Sequence, residues 1–293
     1  VKQAFKSQKK RLAIALITCS RSPVRQQIEK KTIENFFEKG REIVSVADLV
    51  VFDNASTFKD HWTPNSSGVP FSFYTSRKNL GLWSAINYLI EDFETNYENQ
   101  FEYLYLVESD LIHKSFKTLD YLATILEKNS VLGMFRTQQF SRYQRWKYDK
   151  SFSFLPSIMH NSESAVSWRN AVSGEKATFS SIDGSRSFLA TNLHAKLPGL
   201  HRMRTLRQVF SKLKRKGEFS ENDFFRFYME EYQTNGIMQG GIWRSSTSIF
   251  DYPEETASYA KSVAYEEAGY LRTRSATIDE YDADDVRMQR IGC

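Results

Sequence analysis

The sequence predicts an α/β protein with a largely parallel central sheet. Three observations carry this: short, β-rich apolar runs recur through the first half, amphipathic helical segments separate most of them, and each run ends on a cluster of polar residues. Strands alternating with helices need crossover connections, which place parallel strands side by side and helices over the faces. With 293 residues the chain can bury an ample core. Its 41% apolar and 26% charged residues, with 6 prolines and 13 glycines, exclude wholesale disorder.

The first run, LAIALIT at Leu12–Thr18, is apolar throughout, as suits a strand buried on both faces. Ser22 then caps a helix with Pro23 in its first position, Val24, Ile28, Ile33, Phe36 and Phe37 recurring on one side until Gly40 stops it. Further strands are predicted at about residues 47–52, 71–75, 103–107 and 131–135. Leu82, Ile86, Leu89, Ile90 and Phe93 mark a second helix, and about residues 114–128 a third. The series is a Rossmann-like half. Beyond about residue 136 periodicity weakens, and residues 142–187 are polar, aromatic and irregular. Helices are predicted again at about 203–216, ending before Gly217, and at about 220–234, starting at Ser220. From Ile278 the chain is charge-dense and reads as a surface arm. The expected organisation is a basic arm (1–10), a nucleotide-binding half (11–136), an acceptor-binding half of the same domain (137–277) and a charged tail (278–293).

Ligands of open α/β sheets bind at the carboxyl ends of the strands, so the residues following each run are the candidate site. They are Thr18-Cys19-Ser20-Arg21, Asp53-Asn54-Ala55-Ser56, Ser76-Arg77-Lys78-Asn79-Leu80-Gly81 and Glu108-Ser109-Asp110. Glu108 and Asp110 stand where an apolar strand ends. Two carboxylates there are costly without a cation, and Mg²⁺ or Mn²⁺ takes such oxygen ligands while bridging phosphates. A solvated strand end is the alternative, and Asp53 could equally close an Asx turn.

VVFDNAS, RKNLGLWSAIN and YLYLVESD, in this order and spacing, resemble the nucleotide-binding half of GT-A glycosyltransferases, family-two-like members of the nucleotide-diphospho-sugar transferase superfamily especially, over residues 11–136. The resemblance implies a donor nucleoside-diphosphate sugar, a glycan or lipid-linked acceptor and a divalent cation, Mn²⁺ or Mg²⁺. It assigns Asp53 to the nucleobase, with Thr18, Arg21 and Asn54 in the same pocket. Asn79, Gly81 and Ser109 fall beside the nucleotide, and Arg77 or Lys78 near phosphate. The family's acidic metal motif maps onto Glu108 and Asp110, with Glu in place of the usual first Asp, so Asp110 is the firmer ligand. An acid heading a late helix faces the acceptor in this family, and SENDFF offers Glu221, with Asp223 close behind, as the base of an inverting transfer. First-turn acids also stabilise a helix dipole, which is the plainer role for both.

The charge of +5 is concentrated near the start and in HRMRTLRQVFSKLKRK, residues 201–216, an amphipathic basic segment suited to peripheral membrane contact or to packing with a basic solvent face. Two cysteines, Cys19 and Cys293, point to a reducing, cytoplasmic setting. The histidines lack metal-binding spacing, though His194 is an acceptor-side candidate, as are Arg142, Arg145, Trp146 and Lys147. No nucleic-acid motif occurs, and nucleic acid is not an expected partner. Among enzymes a nucleotidyltransferase is the second reading, though it usually carries a glycine-rich basic loop where TCSRSP stands. A non-catalytic basic module remains the alternative outside enzymes.

Overall fold

The computed structural model describes residues 10–58, 68–97, 100–128, 130, 132–137, 186–191, 198–231, 234–240, 250–251, 276–281 and 283–292. In order, the chain forms β1 (Leu12–Thr18), α1 (Pro23–Gly40), β2 (Ala47–Asp53), β3 (Phe71–Ser76), α2 (Gly81–Thr95), β4 (Tyr103–Glu108), β5 (Ile112–His113), α3 (Lys117–Lys128) and β6 (Leu132–Arg136). There follow β7 (Arg186–Thr191), β8 (Gly199–Arg202), α4 (Met203–Lys216), α5 (Glu221–Glu231), β9 (Thr234–Gly240), β10 (Phe250–Asp251) and β11 (Val286–Ile291).

A nine-stranded sheet has the order β11-β3-β2-β1-β4-β8-β6-β9-β7. β3, β2, β1, β4, β6 and β9 run one way, and β11, β8 and β7 the other. The largely parallel sheet predicted from sequence is therefore present, with one insertion: β8 enters antiparallel between β4 and β6. Its four residues, GLHR, are too few to display a period.

The sheet separates two cores by simple alternation. Leu12, Ile14 and Leu16 of β1 face α1 and α3, meeting Phe36, Leu119 and Leu122, while Ala13, Ala15 and Ile17 face the side of α2, α4 and α5. β4 divides likewise, with Tyr103, Tyr105 and Val107 on one face and Leu104 and Leu106 on the other. Each such aliphatic side chain contributes about 1.5–3 kcal/mol on burial. Helix α1 begins as its sequence dictates: the Ser22 hydroxyl accepts from the Arg25 amide at 3.2 Å, and Pro23 follows the cap. Among its periodic apolar residues Val24 is exposed.

The charge-dense stretch after Ile278 is not an arm. Val286–Ile291 pair antiparallel with β3 and supply the sheet's edge, residues 287–290 exposed and Val286 buried. Charge on an exposed edge strand discourages further pairing, which explains a composition that hides the strand from a hydrophobicity reading.

His113, at the end of β5, is buried with Nε2 3.1 Å from the Tyr105 hydroxyl. Burial drives its imidazole down from 6.5 to about 3. The unfolded chain therefore takes up this proton first, and stability falls as pH drops from 6.5 towards 3, by about 1.4 kcal/mol per unit from this group alone. Urea denaturation at pH 7, 6 and 5 should give a shallower acid slope for His113→Leu than for the wild type; parallel slopes would exclude a neutral buried imidazole.

Candidate active site

The register of the parallel strands aligns their carboxyl ends: Thr18 lies opposite Asp53, and Ile17 opposite Glu108. The loops that follow are stitched together by side chains. The Asn54 amide donates to the Thr18 carbonyl at 2.8 Å, and the Ser20 amide donates to the Ser56 hydroxyl at 2.8 Å. Asp53 accepts from the Ser56 amide at 2.9 Å, closing an Asx turn in which Ala55 adopts a φ of 59°. Asp53 is 1% exposed, and Thr18 is fully buried with its hydroxyl directed at the Phe52 carbonyl. Arg21 is exposed beyond them.

Asn54 is the bridge to the next loop. Its Oδ1 accepts from the Leu80 amide at 2.8 Å, while Nδ2 donates to Asn79 Oδ1 at 2.9 Å and to the Gly81 carbonyl at 3.2 Å. Asn79 Oδ1 also accepts from the Gly81 amide at 2.9 Å. Gly81 opens α2 with φ +75°, a conformation that favours glycine. Asn54 is thus buried and holds the Asn79–Gly81 turn.

Beside this turn lies an open cavity of about 420 Å³, bordered by Ala55, Ser56, Thr57, Thr75, Ser76, Arg77 and Arg287. Arg77 is exposed, and its amide donates to the Asp285 carbonyl at 2.9 Å. Lys78 pairs with the Asp285 carboxylate at 2.7 Å. Arg287 comes from β11, so the edge strand brings a cation to the rim that no strand-end motif could announce.

On the other side of β1, Glu108 ends β4 half-buried and Asp110 follows. Burial raises the Asp110 carboxyl above the usual range, against the pull of Arg25 Nη1 at 3.8 Å from Oδ2. Oδ1 is buried without a hydrogen-bond partner. An orphaned, buried carboxylate oxygen at a strand end fits a hard cation; among the described residues no third His, Cys, Asp or Glu joins the cluster, leaving further ligand positions to phosphate or water. The Ser109 hydroxyl is buried, donating to Glu29 Oε1 at 3.1 Å and accepting from Arg25. Arg25 and Glu29 were missed by motif reading. The available signal was Glu29 itself, an acid at apolar spacing with Ile33 and Phe36.

The late helices reach the same rim. Arg202 pairs with Tyr103 at the foot of β4, so α4 starts there and climbs the sheet face, and α5 descends until Tyr228 bonds the Gly133 carbonyl at 3.1 Å. Between them, Phe219 and Phe224 pack on Trp83 in the first turn of α2, ring centroids 5.4 and 5.2 Å away. Glu221 opens α5 at this end, its side chain outside those described. Asp223 caps the helix, accepting from the Ser220 amide at 2.9 Å, and pairs with Lys216 at 2.8 Å and Arg226 at 3.2 Å. The Lys216 hydrogen bond and the Ser220 amide hold its carboxyl down at about 2. His194 and Arg142, Arg145, Trp146 and Lys147 lie outside the described residues.

These features form the α/β sheet and single polar rim that the GT-A resemblance implied. No protein-family model matches the chain, and no curated protein matches it in sequence. Among solved structures it is similar to residues 1–349 of S. aureus TarS, at 11% identity and TM-score 0.41, covering 85% of this chain and 62% of that one. A crystal structure of a mycobacterial protein is similar at 12% identity and TM-score 0.46, with 87% and 69% covered. TarS 1–349 solved with UDP-GlcNAc is similar at 12% identity and TM-score 0.40, with 88% and 64% covered. The chain thus spans less than two thirds of TarS 1–349. At these scores the likeness carries no argument about activity.

Asn54→Ala should leave the buried Leu80 amide without an acceptor and cost about 1–3 kcal/mol. Denaturant titration of the variant measures this, and an unchanged midpoint would mean that other contacts hold the Asn79–Gly81 turn.

Proposed function

We propose that this chain is a GT-A-type glycosyltransferase that moves a sugar from a nucleoside-diphosphate donor to an acceptor hydroxyl on a glycan or lipid-linked molecule. The observation that carries the reading is the half-buried Asp110 carboxylate, whose Oδ1 is buried and unsatisfied, on the rim that also holds Asp53, Asn79 and the arginine-bordered cavity. Asp53 and Thr18 stand at the strand ends that form the base-binding side, and Arg77 and Arg287 supply positive charge for the donor's anionic groups. Asp110 and Glu108 would hold Mn²⁺ or Mg²⁺, which when bound neutralises charge on the leaving diphosphate.

The transfer is a direct displacement. The acceptor oxygen forms a bond to the anomeric carbon as the bond from that carbon to phosphate oxygen breaks, and the nucleoside diphosphate departs with the electron pair. Inversion requires a base for the acceptor proton. Glu221 is the better choice of the two acids, since Asp223 is held ionised by Lys216 and the Ser220 amide, a state that makes it a weak base. Glu221 accepts the proton while the donor loops keep the anomeric carbon in line.

Thermal melts of the full chain with UDP, GDP, ADP and CDP, with and without Mn²⁺ or Mg²⁺, test the donor site. UDP and UDP-GlcNAc, the compounds in the TarS 1–349 crystals, lead the panel as probes. A diphosphate at about 100 times its dissociation constant stabilises the fold by about 2.7 kcal/mol. The expected outcome is a metal-requiring shift that Asp110→Asn abolishes; no shift with any member would sink the donor reading.

Glu221→Gln should retain that shift yet lower transfer to the acceptor by about 10²–10⁴-fold, the usual contribution of a general base. Asp223→Asn should weaken the start of α5, read as a lower melting temperature, while leaving transfer per folded molecule close to wild type. The reverse pattern would move the base to Asp223.

A further inference from the structure

Glu29 lies in the middle of α1 and is fully buried, a position where helical periodicity calls for an apolar residue. Burial pushes its carboxyl up, yet among the described residues the groups that bond it are donors. The Cys19 amide donates to Oε1 at 2.9 Å, the Ser109 hydroxyl to Oε1 at 3.1 Å, the Arg25 Nε to Oε1 at 3.3 Å, and the Ser20 hydroxyl to Oε2. Four donors around one carboxyl favour the carboxylate, which needs a permanent partner in the core. Arg25, one turn earlier on the same helix face, is that partner.

The donors belong to different parts of the rim. Cys19 and Ser20 follow β1, Arg25 stands in the first turn of α1, and Ser109 sits between the two acids that follow β4. Arg25 extends the chain of contacts, donating to the Ser109 hydroxyl and lying 3.8 Å from Asp110 Oδ2. Ser109 is bonded by both partners, which ties the turn carrying Glu108 and Asp110 to α1 and to the loop after β1. Helix packing alone would not require this arrangement, since an apolar side chain at Glu29 would fill the space without burying a charge.

We propose that Glu29 is a positioning residue for the donor site, acting through Arg25 and Ser109 to fix where the Asp110 carboxylate stands. This rests on the reading of Asp110 as the donor-side acid. Glu29 touches neither donor nor acceptor. Its effect is on the affinity of the rim for a metal–diphosphate complex, because a carboxylate displaced by a fraction of an ångström meets that complex in the wrong geometry.

The test is calorimetric titration of the full chain with nucleoside diphosphates and Mn²⁺, for the wild type, Glu29→Gln, Arg25→Met, Asp110→Asn and the double variant Glu29→Gln/Asp110→Asn, with a thermal melt of each. Glu29→Gln keeps the shape and removes the charge that holds Arg25. Its diphosphate affinity should fall ten-fold or more at a temperature where the melt shows the variant fully folded, and the double variant should bind no more weakly than Asp110→Asn alone. Arg25→Met, altered at the partly exposed end of the network, should show the same loss, which keeps the test open should Glu29→Gln fail to fold. Wild-type affinity in the folded single variants, additive losses in the double variant, or tighter Mn²⁺ binding by Arg25→Met would each overturn the proposal, the last by making Arg25 a competitor for Asp110. A wild type that binds no diphosphate, with or without Mn²⁺, overturns the donor reading and this proposal together.

Discussion

The parallel pairing of β1 with β2 on one side and β4 on the other is the constraint on which the rest depends. Parallel neighbours in this register end level, with Thr18 beside Asp53 and Ile17 beside Glu108. Side chains that the sequence separates by tens of residues are thereby delivered to one rim. The same pairing buries β1 on both faces, so its seven residues must be apolar or small up to Thr18, the point where the chain turns polar. A site at this end follows from the sheet's geometry before any side chain is considered.

Concentrating acids at the end of a buried sheet has an electrostatic cost, and the local structure is organised around meeting it. Asp53 is satisfied in part by the backbone of its own turn, through the Ser56 amide. Glu29 is met by an arginine, two hydroxyls and an amide. Asp110 meets its own backbone amide and a guanidinium at 3.8 Å yet retains an unsatisfied Oδ1, so of the three it is the one whose environment is incomplete. Native proteins pair nearly all buried polar atoms, and an exception on a rim of this kind points to a ligand rather than to packing.

The first half of the fold was legible because its periods are long and clean. LAIALIT, the α1 pattern and YLYLV each repeat enough to declare a strand or helix, and the observed bounds follow them closely. Short or charged elements were not. β8 has four residues, and β11 carries arginines on an exposed edge, so neither displays the apolar alternation that identifies strands. At the rim, sequence located the loops but not the division of labour within them. Asn54, Ser109 and Glu29 are polar residues of ordinary loop and helix types, and only their partners distinguish a scaffold from a ligand contact. Arg287 reaches the cavity from the far end of the chain, a contact that depends wholly on tertiary pairing.

The basic helix α4 illustrates how context decides between two readings of one amphipathic pattern. Leu206, Val209, Phe210 and Leu213, the side that would enter a lipid surface, are buried against the sheet and the aromatic cluster of Trp83 and Phe224. On the opposite side Lys212 meets Glu230 and Glu231, Lys214 meets Glu91, and Lys216 meets Asp223. Insertion would require uncovering the core, and attraction to an anionic surface is reduced by these acids. Among the described residues no helix is long and apolar enough to cross a membrane. What the basic residues do instead is local: Lys214, Arg215 and Lys216 sit in the last turn of α4, where cations offset the helix dipole, and Lys216 pins the first turn of α5. Because that turn opens with Glu221, the ion pair that holds the Asp223 carboxylate also fixes the backbone at Glu221.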